Sequence, residues 1–166
     1  LAAVEALTEG PILPVGSSMG GWQSLLLVRA LPARIEGLVT IAAAPDFTED
    51  GYWASFTEAQ KKTLAETGQV ELPSDYMEPY IITRRMIEDG RKQLVLRDPL
   101  HLPFPTRFLQ GTADTAVSVA TAVRLLEHAQ GPDMQLQLVK DADHRFSDDR
   151  CLELLIQAVE EVSATA

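Results

Sequence analysis

Residues 11–31 read PILPVGSSMGGWQSLLLVRAL: a short apolar stretch, a knot of Gly and Ser, then a helix-like pattern. Small side chains at a strand-to-helix corner serve three kinds of chemistry, and spacing separates them. A phosphate-cradling loop has two glycines five apart, followed by Lys and a hydroxyl. Gly16 and Gly21 have that separation, but Trp22 and Gln23 follow. A dinucleotide loop needs G-x-G-x-x-G, and position 18 is Ser18. The third pattern, G-x-S-x-G, holds a serine nucleophile on a strained turn, and Gly16-Ser17-Ser18-Met19-Gly20 satisfies it. The frame selects Ser18, since Ser17 would be flanked by Val15 and Met19. Gly16 and Gly20 are expected where a Cβ would collide with the adjoining strand and helix. A glycine-rich loop carrying an idle serine fits the same pentapeptide.

Beyond this corner the chain alternates strand and helix patterns. Strands are predicted at 12–15, 34–43, 106–110 and 135–139. Helices are predicted at 19–31, 57–67, from Thr83 to near Gly90, at 118–130, and from the acidic loop after 139 to about Val162. Such alternation implies βαβ units and a mostly parallel sheet, whose chemistry gathers at the carboxyl ends of the strands. The segment 45–100 is too long for a crossover and reads as a lid or cap inserted into a single α/β domain, 1–166.

Composition limits the partners. A chain 46% hydrophobic and 23% charged can bury a core. With 24 acidic and 14 basic residues it carries a formal charge of −10, which disfavours nucleic acid and anionic lipid. One cysteine, Cys151, leaves no internal disulfide framework and fits a reducing compartment, read here as cytoplasmic. No apolar run approaches the roughly 20 residues of a membrane span. The first residue is Leu1, and LAAVEALTEGP reads as the last turns of a helix with Leu1, Val4 and Leu7 on one face. The chain is therefore expected to begin mid-protein, with any targeting signal upstream and the mitochondrion as the alternative compartment.

A serine hydroxyl needs a base in hydrogen-bond reach, and the base needs a third group to orient it. Of three histidines, His128 belongs on a polar helix face and His101 precedes a strand, whereas His144 follows one. Asp141 and Asp143 are too close to His144 in sequence to grip its Nδ1. Asp148 and Asp149 suit the first turn of the last helix. Asp114, past the third strand, has an independent place at the same rim. A calcium-binding role for DADHRFSDD lacks EF-hand spacing, so no metal and no cofactor is implied.

The order Ser18, Asp114, His144 is the nucleophile–acid–base order of the α/β hydrolases. VGSSMGGW, QGTADTAV and DADHRFS resemble that family's nucleophile, acid and base loops. LPSDY and IEDGRKQLVL are similar to bacterial relatives of the palmitoyl-protein thioesterase and acyl-glucuronide esterase branch. The resemblance implies a three-layer α/β-hydrolase fold lacking its N-terminal strands. It also implies hydrolysis of carboxylic esters or thioesters, including long-chain acyl ones, through an acyl-enzyme on Ser18. The backbone N–H of Met19 would serve the oxyanion, and a second donor would come from a loop this sequence does not contain.

Six of the ten aromatics lie between 45 and 82. Trp53, Phe56 and Tyr76 are candidates for an acyl pocket, or equally for pinning the lid to the body. The first strand is expected to expose an unpaired apolar edge, so the 166-residue piece alone should aggregate or be inactive. A non-catalytic ligand-binding protein and a C–C bond hydrolase remain the alternatives.

Overall fold

Apolar runs bounded by Gly, Pro and capping residues set the elements in order. The computed structural model describes residues 2–73 and 78–165. Along the chain run helix α1 (Ala2–Leu7), strand β1 (Val15–Ser17), helix α2 (Met19–Ala30) and strand β2 (Leu38–Ile41). Helix α3 (Glu58–Thr67), strands β3 (Gln69–Leu72) and β4 (Tyr80–Thr83), and helix α4 (Arg84–Arg91) follow. Then come β5 (Leu100–His101), β6 (Thr106–Gly111), α5 (Val119–His128), β7 (Ala129–Gln130), β8 (Met134–Val139) and α6 (Asp149–Thr165). Among the described residues, no helix is long and apolar enough to cross a membrane.

The helix starts are built as the sequence suggests. Thr57 caps α3 in a capping box with Gln60. Thr83 accepts from Met86 N–H and Ser118 from Thr121 N–H. Asp148 Oδ1 accepts from Cys151 N–H at 2.8 Å, so this carboxylate caps α6. Gly68, at φ 83°, ends α3 in the left-handed conformation that suits glycine.

Strands β1, β2, β6 and β8 lie side by side in that order, all parallel. Val15 pairs with Val39, Leu38 with Thr106, and Thr106 with Met134. The connections β1–α2–β2 and β6–α5–β8 both advance in one direction across this sheet. Right-handed crossovers therefore put α2 and α5 on one face, and α6 covers the other. Val39, Ile41, Leu109 and Val139 pack there with Cys151, Ala158 and Val162 of α6. Arg107 of β6, 6% exposed, ties the same helix down by an ion pair to Glu161 and also pairs with Asp133, just before β8, each at 2.9 Å.

Two strand boundaries differ from the sequence expectation. The stretch 12–15 contains Pro14, which has no N–H for a ladder. Ile12 makes only an isolated bridge to Ile35, and pairing begins at Val15. The strand predicted over 34–43 is cut to Leu38–Ile41 by a 3₁₀ turn at Pro32–Arg34 and by Ala42, at φ 47°. The last helix runs beyond the expected end, to Thr165.

The chain divides into two units, Leu1–Pro45 with Val95–Ala166, and Asp46–Leu94. The second has its own core of Phe56, Leu64, Val70, Ile82 and Ile87, around the antiparallel β3–β4 hairpin and a π-helical turn at Phe47–Trp53. Sequence periodicity did not indicate this hairpin or the short β5–β7 pair.

Candidate active site

Because the four strands are parallel, the segments leaving β1, β6 and β8 emerge at one rim of the sheet. Ser18 follows β1, Asp114 follows β6 and His144 follows β8. These three side chains, far apart in sequence, meet there. His144 Nε2 lies 3.0 Å from Ser18 Oγ, and His144 Nδ1 lies 2.9 Å from Asp114 Oδ2.

Ser18 stands at φ 54°, ψ −118°, a conformation costly for any residue with a Cβ. Its surroundings enforce it. Ser18 N–H donates to Ile41 O at 2.8 Å, and Ser18 O accepts from Gly21 N–H and Ala44 N–H. Glycines make the turn possible, but not both of those expected. A Cβ at Gly16 would stand 2.3 Å from Gly20 O, and one at Gly21 would stand 2.7 Å from Ala43 Cβ. A Cβ at Gly20 would meet nothing within 4 Å. The close-packing role therefore falls to Gly16 and Gly21; the expectation for Gly20 is corrected. Met19 opens α2, where first-turn N–H groups have no partner within the helix.

Asp114 is held from several directions, with its side chain fully buried. Oδ1 accepts from Ala116 N–H and Val117 N–H, both at 2.8 Å. Oδ2 accepts from Gln110 Nε2 at 2.9 Å as well as facing His144. Burial by itself pushes this carboxyl upward, but the bonds from Val117, His144, Gln110 and Ala116 outweigh it and hold Asp114 below the ordinary carboxylate range. An ionised carboxylate only accepts. The proton of neutral His144 therefore sits on Nδ1, leaving the Nε2 lone pair toward Ser18.

The acid and base loops are also joined to each other. Thr112 N–H donates to Val139 O, Ala113 N–H to Ala142 O, and Asp141 N–H to Thr112 Oγ1. Gly111 permits this contact, since a Cβ there would lie 2.2 Å from Ala142 O. The neighbouring carboxylate of Asp143 is used locally, accepting from Arg145 N–H and Phe146 N–H. His128 is half-buried, with Nε2 2.9 Å from Asp98 O, rather than on an open face.

Of the residues read as acyl-pocket candidates, Phe56 is buried in the core of the Asp46–Leu94 unit. Trp53 packs edge-on to it and carries Arg91 over its ring at 4.4 Å. Tyr76 lies outside the described residues. Sequence reasoning missed Gln110, Gly111, Thr112 and Gly21. The signal available was a glutamine inside the otherwise apolar end of TRFLQG.

A putative hydrolase from Agrobacterium vitis superposes with a TM-score of 0.92 at 36% identity, over 97% of this chain and 64% of its own. This is an α/β-hydrolase fold, and the chain belongs to that superfamily. The mouse α/β-hydrolase domain-containing protein 10 superposes at 0.87 with 26% identity, over 98% of this chain and 66% of its own. Among curated proteins, the bovine and mouse palmitoyl-protein thioesterases ABHD10, mitochondrial, are 29% and 31% identical across 98% of this chain. The chain spans about half the length of these curated relatives, 53% and 55%. No family model matches this chain.

Proposed function

We propose that this α/β hydrolase cleaves carboxylic esters or thioesters through an acyl-enzyme on Ser18. The observation that carries the reading is the continuous hydrogen-bonded line from Asp114 through His144 to Ser18 Oγ. Ser18 Oγ attacks the acyl carbonyl while His144 Nε2 takes its proton. Asp114 stabilises the imidazolium that results and keeps Nδ1 protonated. The oxyanion accepts from Met19 N–H at the positive end of α2. His144 then returns the proton to the departing alcohol or thiol. In the second half-reaction it activates water, which releases the acid and frees Ser18.

The names of the curated relatives favour thioesters with long acyl chains as the substrate class. They also favour the mitochondrial compartment over the cytoplasmic one. The Asp46–Leu94 unit is proposed to act as the lid, its rings at Trp53 and Phe56 packing within that unit.

A fluorophosphonate probe tests the reading on the full chain. Covalent labelling that Ser18→Ala abolishes is the expected result. Absence of labelling in the native protein would favour a ligand-binding protein instead. Parallel assays with acyl-thioester and matched oxyester substrates then fix the leaving group, and a carbon–carbon substrate cleaved in their place would redirect the chemistry.

A further inference from the structure

Gln110 is an unusual occupant of its position. It sits in β6 between Leu109 and Gly111, wholly buried, where an aliphatic side chain would serve the core. Its amide nitrogen lies 2.9 Å from Asp114 Oδ2, 3.0 Å from Val117 O and 3.2 Å from Gly111 O. Among the described residues its Oε1 is buried without a hydrogen-bond partner. Turning the amide over would aim Oε1 at three acceptors, so only one orientation is compatible with the site. The orphaned oxygen accompanies a nitrogen kept on Asp114.

We propose that Gln110 is a positioning residue that shares Oδ2 of Asp114 with His144. It fixes the carboxylate plane in line with the imidazole and limits how tightly that oxygen holds the imidazolium. The inference rests on the triad reading. Asp114 is faced by His144 from the base loop, by Gln110 from β6, and by the Ala116 and Val117 N–H groups of its own loop. Asp143 in the base loop is engaged with Arg145 N–H and Phe146 N–H. A carboxylate that loses one donor becomes more basic. Its remaining partner, the His144 ring, is then held more firmly.

The test compares Gln110→Met and Gln110→Glu with the native full chain. Met keeps an unbranched shape and removes the donor. Its kcat is expected to fall about tenfold with KM little changed, and the acid limb of the pH–rate profile to move upward by about half a unit or more. Glu supplies a donor only while protonated, so its activity should fall relative to Met as pH rises. A proton NMR readout needs no turnover: the His144 Nδ1–H signal should move downfield in Gln110→Met as its bond to Oδ2 tightens. If native protein fails to hydrolyse esters yet this signal moves, the positioning role stands and the triad's function does not. If native protein is active but the signal and the acid limb stay fixed, with losses following only the thermal midpoint, Gln110 is merely structural.

Discussion

Gly16 lies directly against the carbonyl of Gly20: a Cβ on residue 16 would sit 2.3 Å from that oxygen and 2.4 Å from Ser24 Oγ. Neither neighbour can retreat easily, because Ser24 Oγ donates to the same carbonyl at 2.9 Å and Ser24 is itself buried. Gly16→Ala is therefore expected to destabilise by about 3 kcal/mol, at the upper end for overpacking. Gly20→Ala, which meets open space, should be neutral or gain up to about 1 kcal/mol from helix propensity. Thermal unfolding of the two variants checks the contrast. Equal losses would show that the turn depends on the pentapeptide as a whole.

Ser18 is held at φ 54° by bonds to Ile41, Gly21 and Ala44. Residues in such conformations carry about 1–3 kcal/mol of strain. Glycine adopts them without a Cβ penalty, although it also loses more freedom on folding. Ser18→Gly should accordingly raise stability by about 1 kcal/mol while abolishing hydrolysis. Ser18→Ala should abolish hydrolysis with no comparable gain. A denaturant titration that found the two variants equally stable would argue against strain at this turn.

Asp114 links the same site to pH. Its folded-state pKa is depressed by four hydrogen bonds that prevail over burial. A depressed carboxyl contributes stability that is complete above its unfolded value, about 3.9, and disappears as pH falls through the lower folded value. Asp114→Asn removes that contribution. The stability gap between native and variant chains should shrink as pH falls from about 4 toward 3 and below, where the Asp114 carboxylate itself takes up its proton. A gap independent of pH would mean that the carboxylate's charge is not what the site stabilises. Turnover in this variant should fall about 10⁴-fold, the loss found when a triad histidine is left in the wrong tautomer.

How much of this was legible beforehand follows from what each residue signals locally. The elbow declared itself through glycine spacing, and strand–helix alternation gave the parallel sheet, because both are short-range patterns. His144 and Asp114 could be placed because parallel strands share a carboxyl rim, so position after a strand fixes position in space. Gly21 and Gly111 were not legible as packing glycines. Their partners, Ala43 and Ala142, are 22 and 31 residues away and become neighbours only through the fold. Gln110 stood out as a polar residue in an apolar strand, but its meaning depends on an acceptor supplied by the loop it precedes. The β3–β4 hairpin was missed because QVEL and YIIT are separated by residues with no tight-turn signature.

Arg107 tests a different part of the frame. Its guanidinium is buried, whereas the side chains of Asp133 and Glu161 are 40% and 56% exposed. The two ends of this pair therefore respond differently to loss. Removing the arginine leaves two carboxylates that water can solvate. Removing the carboxylates leaves a buried cation with the Thr106 carbonyl but no counter-charge, a loss that typically costs about 3–5 kcal/mol. The double variant Asp133→Asn/Glu161→Gln should thus be more destabilised than Arg107→Met, despite changing fewer atoms. If Arg107→Met instead proved the worse of the two by chemical denaturation, the packing of the arginine's methylenes against α6 would outweigh its charge.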